Sequence, residues 1–138
     1  MGVPELKDSF SYAKYLTWNN DQRCEIIDGE IYDMSPAPSL KHQSILGELH
    51  LQIATHLSKC PCNVFIAPLD VRLPETIKDN DKIIDVVQPD ILVVCDPSIL
   101  DEQGCHGAPD FIIEILSRST ATKDTIIKLA LYERNKVK

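Results

Sequence analysis

Two carboxylates in apolar surroundings, Asp90 and Glu114, stand out as residues able to do chemistry. Asp90 opens the run Ile91-Leu92-Val93-Val94, and Glu114 lies within Phe111-Ile112-Ile113-Glu114-Ile115-Leu116, with Ile112 and Leu116 on its own face. Both runs are of strand length and rich in β-branched residues, the pattern of strands covered on both faces. An ionised carboxylate in such a place is costly unless a cation, hydrogen bonds or water compensate it. Two of them on strands that can be neighbours suggest one shared compensator, and a divalent metal fits because hard cations take carboxylate oxygens. The plainer alternatives are that Asp90 caps a loop or pairs with a lysine, and that Glu114 sits at a solvated strand end.

The elements that must position these acids are legible in outline. Residues 9–18 read as a short amphipathic helix with Phe10, Ala13, Tyr15 and Leu16 as burial candidates. Asp28-Gly29 between two alternating runs predicts a tight hairpin, because both central residues need positive φ. Residues 41–58 form the strongest helical pattern, with Ile45, Leu46, Leu49, Ile53 and Leu57 as a core-facing stripe. His42 projects onto that stripe and Glu48 falls at its edge. Residues 63–73 read as a strand in which Pro68 implies a bulge or an edge. Pro89 puts Asp90 at an irregularity just before its apolar run, which suits a ligand that must be aimed. After Ser117, Ser119 or Thr120 can cap a helix reaching about Arg134, with Ile127, Ala130 and Leu131 as its apolar side. Asp124 and Lys128 then read as a surface i,i+4 pair.

Composition narrows the class. A chain of 138 residues with 43% hydrophobic and 25% charged residues is expected to be one soluble globular domain. It holds no apolar stretch of about 20 residues, the length that crosses a bilayer. Its start lacks a basic segment followed by an apolar one, so the cytoplasm is the expected compartment. Five cysteines without an export signal are expected to be reduced thiols. Cys60-Pro61-Cys62 with Cys105-His106 is conceivable as a zinc site, although the spacing is not that of a standard zinc pattern. The net charge of −7 offers no broad attraction to a polyanion, but residues 118–138 hold six basic side chains against two acidic ones. Such a segment is either a phosphate-holding surface or a solvated helix face.

The strings Glu25-Ile26-Ile27-Asp28-Gly29-Glu30-Ile31-Tyr32, Met34-Ser35-Pro36, His42-Gln43, Ala67-Pro68-Leu69-Asp70-Val71-Arg72-Leu73 and Val87-Gln88-Pro89-Asp90-Ile91 occur in that order. Val94-Cys95-Asp96-Pro97, Gly107-Ala108-Pro109-Asp110, Glu114-Ile115-Leu116-Ser117 and Lys128-Leu129-Ala130-Leu131-Tyr132-Glu133 follow. Together they resemble the Uma-type endonucleases of bacteria, a branch of the PD-(D/E)XK (restriction-endonuclease-like) superfamily.

The resemblance implies an α/β (α+β) fold: a central mixed sheet flanked by helices, with an N-terminal helix and β-hairpin. It implies Mg²⁺ (or Mn²⁺) held by Asp90, Glu114 and the carbonyl of Ile115, with Glu48 as an acid added from the first long helix. Leu116 stands where the superfamily carries its catalytic lysine; the resemblance moves that role to Lys128, with Lys123 as the fallback. The implied reaction is hydrolysis of DNA phosphodiester bonds, and the rival is a binding or assembly protein that keeps the fold without turnover. Arg118 departs from a common proline. Residues 1–138 are expected to form a single domain without the family's C-terminal strands, leaving an open sheet edge that a homodimer would cover.

Overall fold

A computed structural model describes residues 10–18, 23–34, 38–117, 121 and 123–138. The fold is mixed α+β, as expected. In chain order it comprises helix α1 (Tyr12–Leu16), the hairpin β1 (Cys24–Ile27) and β2 (Glu30–Asp33), helix α2 (Leu40–His56), and strands β3 (Asn63–Ile66) and β4 (Asp70–Leu73). Strands β5 (Asp85–Val87), β6 (Ile91–Val94), β7 (Leu100–Asp101), β8 (Gly104–His106) and β9 (Phe111–Ile113) follow. A π-helical turn over Lys123–Lys128 then runs into α3 (Leu129–Arg134).

The strands form two sheets. One has six strands in the order β2-β1-β5-β4-β8-β7, antiparallel except for the pair β4–β8. The other is the antiparallel set β3-β6-β9. The run read as one strand over 63–73 is divided between them. A cis Ala67-Pro68 peptide lies at the division, and proline cannot donate to a ladder, so β3 joins β6 while β4 crosses to β5 and β8.

Side-chain alternation explains the layers. Ile26 and Val86 face Tyr12 and Ile83 on the α1 side of the large sheet. Their neighbours Ile27 and Val87 face the larger cluster, which also holds Val71, Leu73, Leu92, Val94, Leu131 and Tyr132. Because Leu92 and Val94 belong to β6, and Leu131 and Tyr132 to α3, this second cluster joins both sheets and the C-terminal helix. Glu25 shares the face of Ile27, so an acid points toward that core.

The Asp28-Gly29 turn forms as expected, with φ of 54° and 76° at the two positions. Three expectations fail. In α1 the fully buried residue is Tyr12, whereas Leu16 is exposed. In α2, Leu46 is buried but Ile45 is exposed and Leu49, Ile53 and Leu57 are half-buried, so the predicted stripe is only partly covered. Glu114 lies just past the end of β9 rather than within a strand.

The cysteines differ as well. The β3–β6 register pairs Asn63 with Val94, which puts Cys62 opposite Cys95, and the two are joined in a disulfide with Cα atoms 3.9 Å apart. Sequence spacing hid this proximity, and it removes both the all-reduced expectation and the zinc arrangement, since Cys105 is buried in the other sheet. Burial pushes the Cys24 thiol up to about 11 and the Cys105 thiol up to about 12, while Cys60 is exposed. Thiol titration with a disulfide-exchange reagent at about pH 8 should therefore count one fast thiol in the native protein, three after unfolding and five after reduction. Five thiols in the unreduced, unfolded chain would eliminate the Cys62–Cys95 bond.

Candidate active site

The site begins with the β6–β9 ladder. Ile91 pairs with Ile113, so the next step along both chains sets Asp90 opposite Glu114 on one face. Asp90 is held from both sides: its carbonyl accepts from Ala67 N (3.0 Å) and its Oδ2 accepts from Ile115 N (2.7 Å). Its Oδ1 lies 3.3 Å from His42 Nε2 at the start of α2, which Ser39 caps. His42 Nδ1 is buried without a hydrogen-bond partner among the described residues.

Glu114 Oε1 receives a 2.6 Å bond from the Tyr132 hydroxyl and an ion-pair contact from Lys128 Nζ. Lys128 is 1% exposed; its Nζ also lies 2.8 Å from Glu25 Oε2 and 3.9 Å from Asp124 Oδ1. Glu25, 0% exposed on β1, accepts in addition from Gln88 N at 2.8 Å. The expected surface pair Asp124–Lys128 is thus an interior pair. The π-helical turn followed by α3 lays Lys128, Leu131 and Tyr132 against the same core, one side chain charged and two apolar or amphipathic.

Three carboxylates within 4 Å of one ammonium cannot all be equally satisfied by it. Burial raises Glu114 to about 7 despite the pull of Lys128 and the bond from Tyr132, and the nearby Glu25 adds to the rise. For Lys128 burial acts downward, but the attraction of Glu114 and Glu25 outweighs it and holds the ammonium above its ordinary value. Burial and the adjacent Glu114 also push the Tyr132 phenol upward, so it remains a donor. The cluster therefore keeps a charged lysine and an acid poised near neutrality.

The structure thus brings together Asp90, Glu114, Lys128 and the backbone of Ile115. It does not bring Glu48 to them: that side chain is exposed on α2 and accepts from Gln52 Nε2 at 3.0 Å. Glu48 is six positions on from His42, and at 100° per residue that turns it about 120° away from the helix face reaching Asp90. Among the described residues no three His, Cys, Asp or Glu side chains form a group able to hold a metal alone. A two-carboxylate set still suits Mg²⁺, which keeps several waters and is often bound through one or two acids. Lys123 lies in the π-helical turn, and its side chain is outside the described residues.

Sequence reasoning did not single out Glu25 or Tyr132. Glu25 carried the same signal as Glu114, an acid inside an apolar strand, but sat beside the hairpin and read as ordinary alternation.

Two consequences are measurable in chelator. Lys128→Met leaves Glu25 and Glu114 buried without their cation and should cost about 3–5 kcal/mol of unfolding free energy by urea titration. A loss below about 1 kcal/mol would show that the ammonium is not what balances these acids. Glu114 keeps its proton in the folded state between 4.5 and about 7, where the unfolded chain has lost it, so its contribution to stability falls as pH rises through that window. Glu114→Gln should therefore flatten the fall in unfolding midpoint between about pH 5 and about pH 7.5. Identical slopes in the two proteins would rule out a raised Glu114.

Comparison with known proteins gives three results. The family model described as "Uma2: Putative restriction endonuclease" matches residues 12–138. An uncharacterized protein of Synechocystis sp. is 30% identical over 127 residues, which cover 91% of this chain. The chain spans 63% of that relative's length. A crystal structure described as a "putative nuclease belonging to DUF820" from Anabaena variabilis superposes with a TM-score of 0.68 at 21% identity, over 91% of this chain and 69% of its own. At that identity the likeness establishes the shared fold.

Proposed function

This chain belongs to the Uma2 family, and from that premise we propose that it is a divalent-metal-dependent nuclease that hydrolyses DNA phosphodiester bonds. The observation that carries the reading is the pair Asp90 and Glu114, set side by side at one end of β6 and β9 with the Lys128 ammonium against Glu114. Asp90 and Glu114 would hold Mg²⁺ or Mn²⁺. That ion would supply charge neutralisation at the phosphoryl group and acidify a water molecule.

The chain's own residues do the rest. The Ile115 amide fixes one Asp90 oxygen, and His42 stands against the other. Tyr132 and Lys128 both engage Oε1 of Glu114, which leaves Oε2 as the oxygen to offer. Lys128, charged and adjacent to that carboxylate, is the group to orient the attacking water and to stabilise negative charge as it develops. The apolar walls from Leu92, Ile112 and Leu131 strengthen these electrostatic interactions by excluding solvent.

Supercoiled plasmid incubated with Mg²⁺ or Mn²⁺ should be nicked by the wild-type protein and not in EDTA. Asp90→Asn and Glu114→Gln should each lower the rate by at least about 100-fold. Retained nicking in both variants would move the chemistry elsewhere. Binding of DNA without cleavage under any divalent ion would favour a binding protein built on the same fold.

A further inference from the structure

Of the three carboxylates near Lys128, Glu25 and Glu114 approach closest, and they are not equivalent. Glu114 lies just beyond the end of β9, its side chain 13% exposed, and its Oε1 is divided between Tyr132 and Lys128. Glu25 is 0% exposed, sits inside a strand paired on both sides, and is pinned by the Gln88 backbone N–H at 2.8 Å. Gln88 is itself fixed, since its Nε2 donates to Asp70 Oδ1 (2.8 Å) and its Oε1 accepts from Arg23 Nε (2.9 Å). A line of hydrogen bonds and ion pairs thus runs from Asp70 through Gln88 and Glu25 to Lys128 and ends at Glu114.

We infer that Glu25 is a positioning residue: a fixed counter-ion that holds the Lys128 ammonium in place when Glu114 turns an oxygen toward a divalent cation. The inference rests on the nuclease reading, which requires Glu114 to serve a second positive charge. Without Glu25, recruitment of Glu114 by a metal ion would leave the buried ammonium beside a like charge with Asp124, 3.9 Å away, as its remaining described counter-ion, and would favour its displacement from the site. Lys128 and Glu114 come from different elements, so no shared backbone keeps them in register. Glu25 supplies that constraint from the opposite side. Glu25 is not itself expected to meet metal or substrate, because it is fully buried and Lys128 and the Gln88 backbone both hold its Oε2.

Glu25→Gln preserves shape and an acceptor for the Gln88 amide while removing the charge. With folding verified by circular dichroism, this variant should bind Mn²⁺ (by electron paramagnetic resonance) within about threefold of wild type and keep its KM for plasmid DNA, but lose kcat by about tenfold or more. In a Lys128→Met background the same substitution should cause no further loss, because its effect passes through the lysine. Additive losses in the two backgrounds, or wild-type kcat in Glu25→Gln, would overturn the assignment while leaving the nuclease reading intact. A wild-type protein that cleaves nothing would remove both. If Glu25→Gln does not fold, Glu25→Asp retains the charge but withdraws it by one methylene; reduced kcat at unchanged KM supports the role, and full activity refutes it.

Discussion

The buried ammonium of Lys128 is the interaction on which the rest of this molecule depends. It ties together a strand of the N-terminal hairpin through Glu25, the end of β9 through Glu114, and its own helical segment through Asp124. Each of these groups alone would be expensive where it lies, and together they are tolerable because one cation serves them. Burial, with a smaller contribution from the nearby Glu25, holds the Glu114 carboxyl up near neutrality despite Lys128 and Tyr132.

The architecture serves this arrangement. Breaking the chain at Pro68 sends β3 and β4 to different sheets, so β6 and β9 form a small sheet with the acids at one end. The larger sheet brings β1, and with it Glu25, to the same core from the other side. Helix α3 closes the space between them with Leu131 and Tyr132, and Tyr132 serves both layers: its ring packs in the core and its hydroxyl reaches Glu114. The disulfide between Cys62 and Cys95 links β3 to β6 at the end of the ladder remote from Asp90.

Much of this was legible in the residues. Acids inside β-branched runs announced Asp90 and Glu114, and Asp28-Gly29 announced its hairpin, because these signals depend on local cost: desolvation of a charge, or positive φ. The choice of Lys128 needed a resemblance, since a lysine four residues after an aspartate on a helix looks solvated. Glu25 was missed and Glu48 was misplaced for one reason. Periodicity states which face a residue occupies but not what lies across from it, and α2 turned out to cover less of the core than its apolar stripe suggested. The all-thiol expectation failed likewise, because two cysteines far apart in sequence meet only through the β3–β6 register.

By itself, then, the sequence marked the helices, the hairpin and two carboxylates in costly apolar runs, since each follows from interactions among neighbours in the chain, whereas the run over 63–73 divides between two sheets. Only the tertiary structure decided that Glu114 meets the Lys128 ammonium while Asp90 meets His42 and the Ile115 amide, that the lysine is interior, and that Glu25 from the first strand joins its environment. The physical reason is that a buried charge is stabilised by whatever folding brings within a few ångströms, and that proximity is a property of strand register and helix packing, which no local pattern encodes.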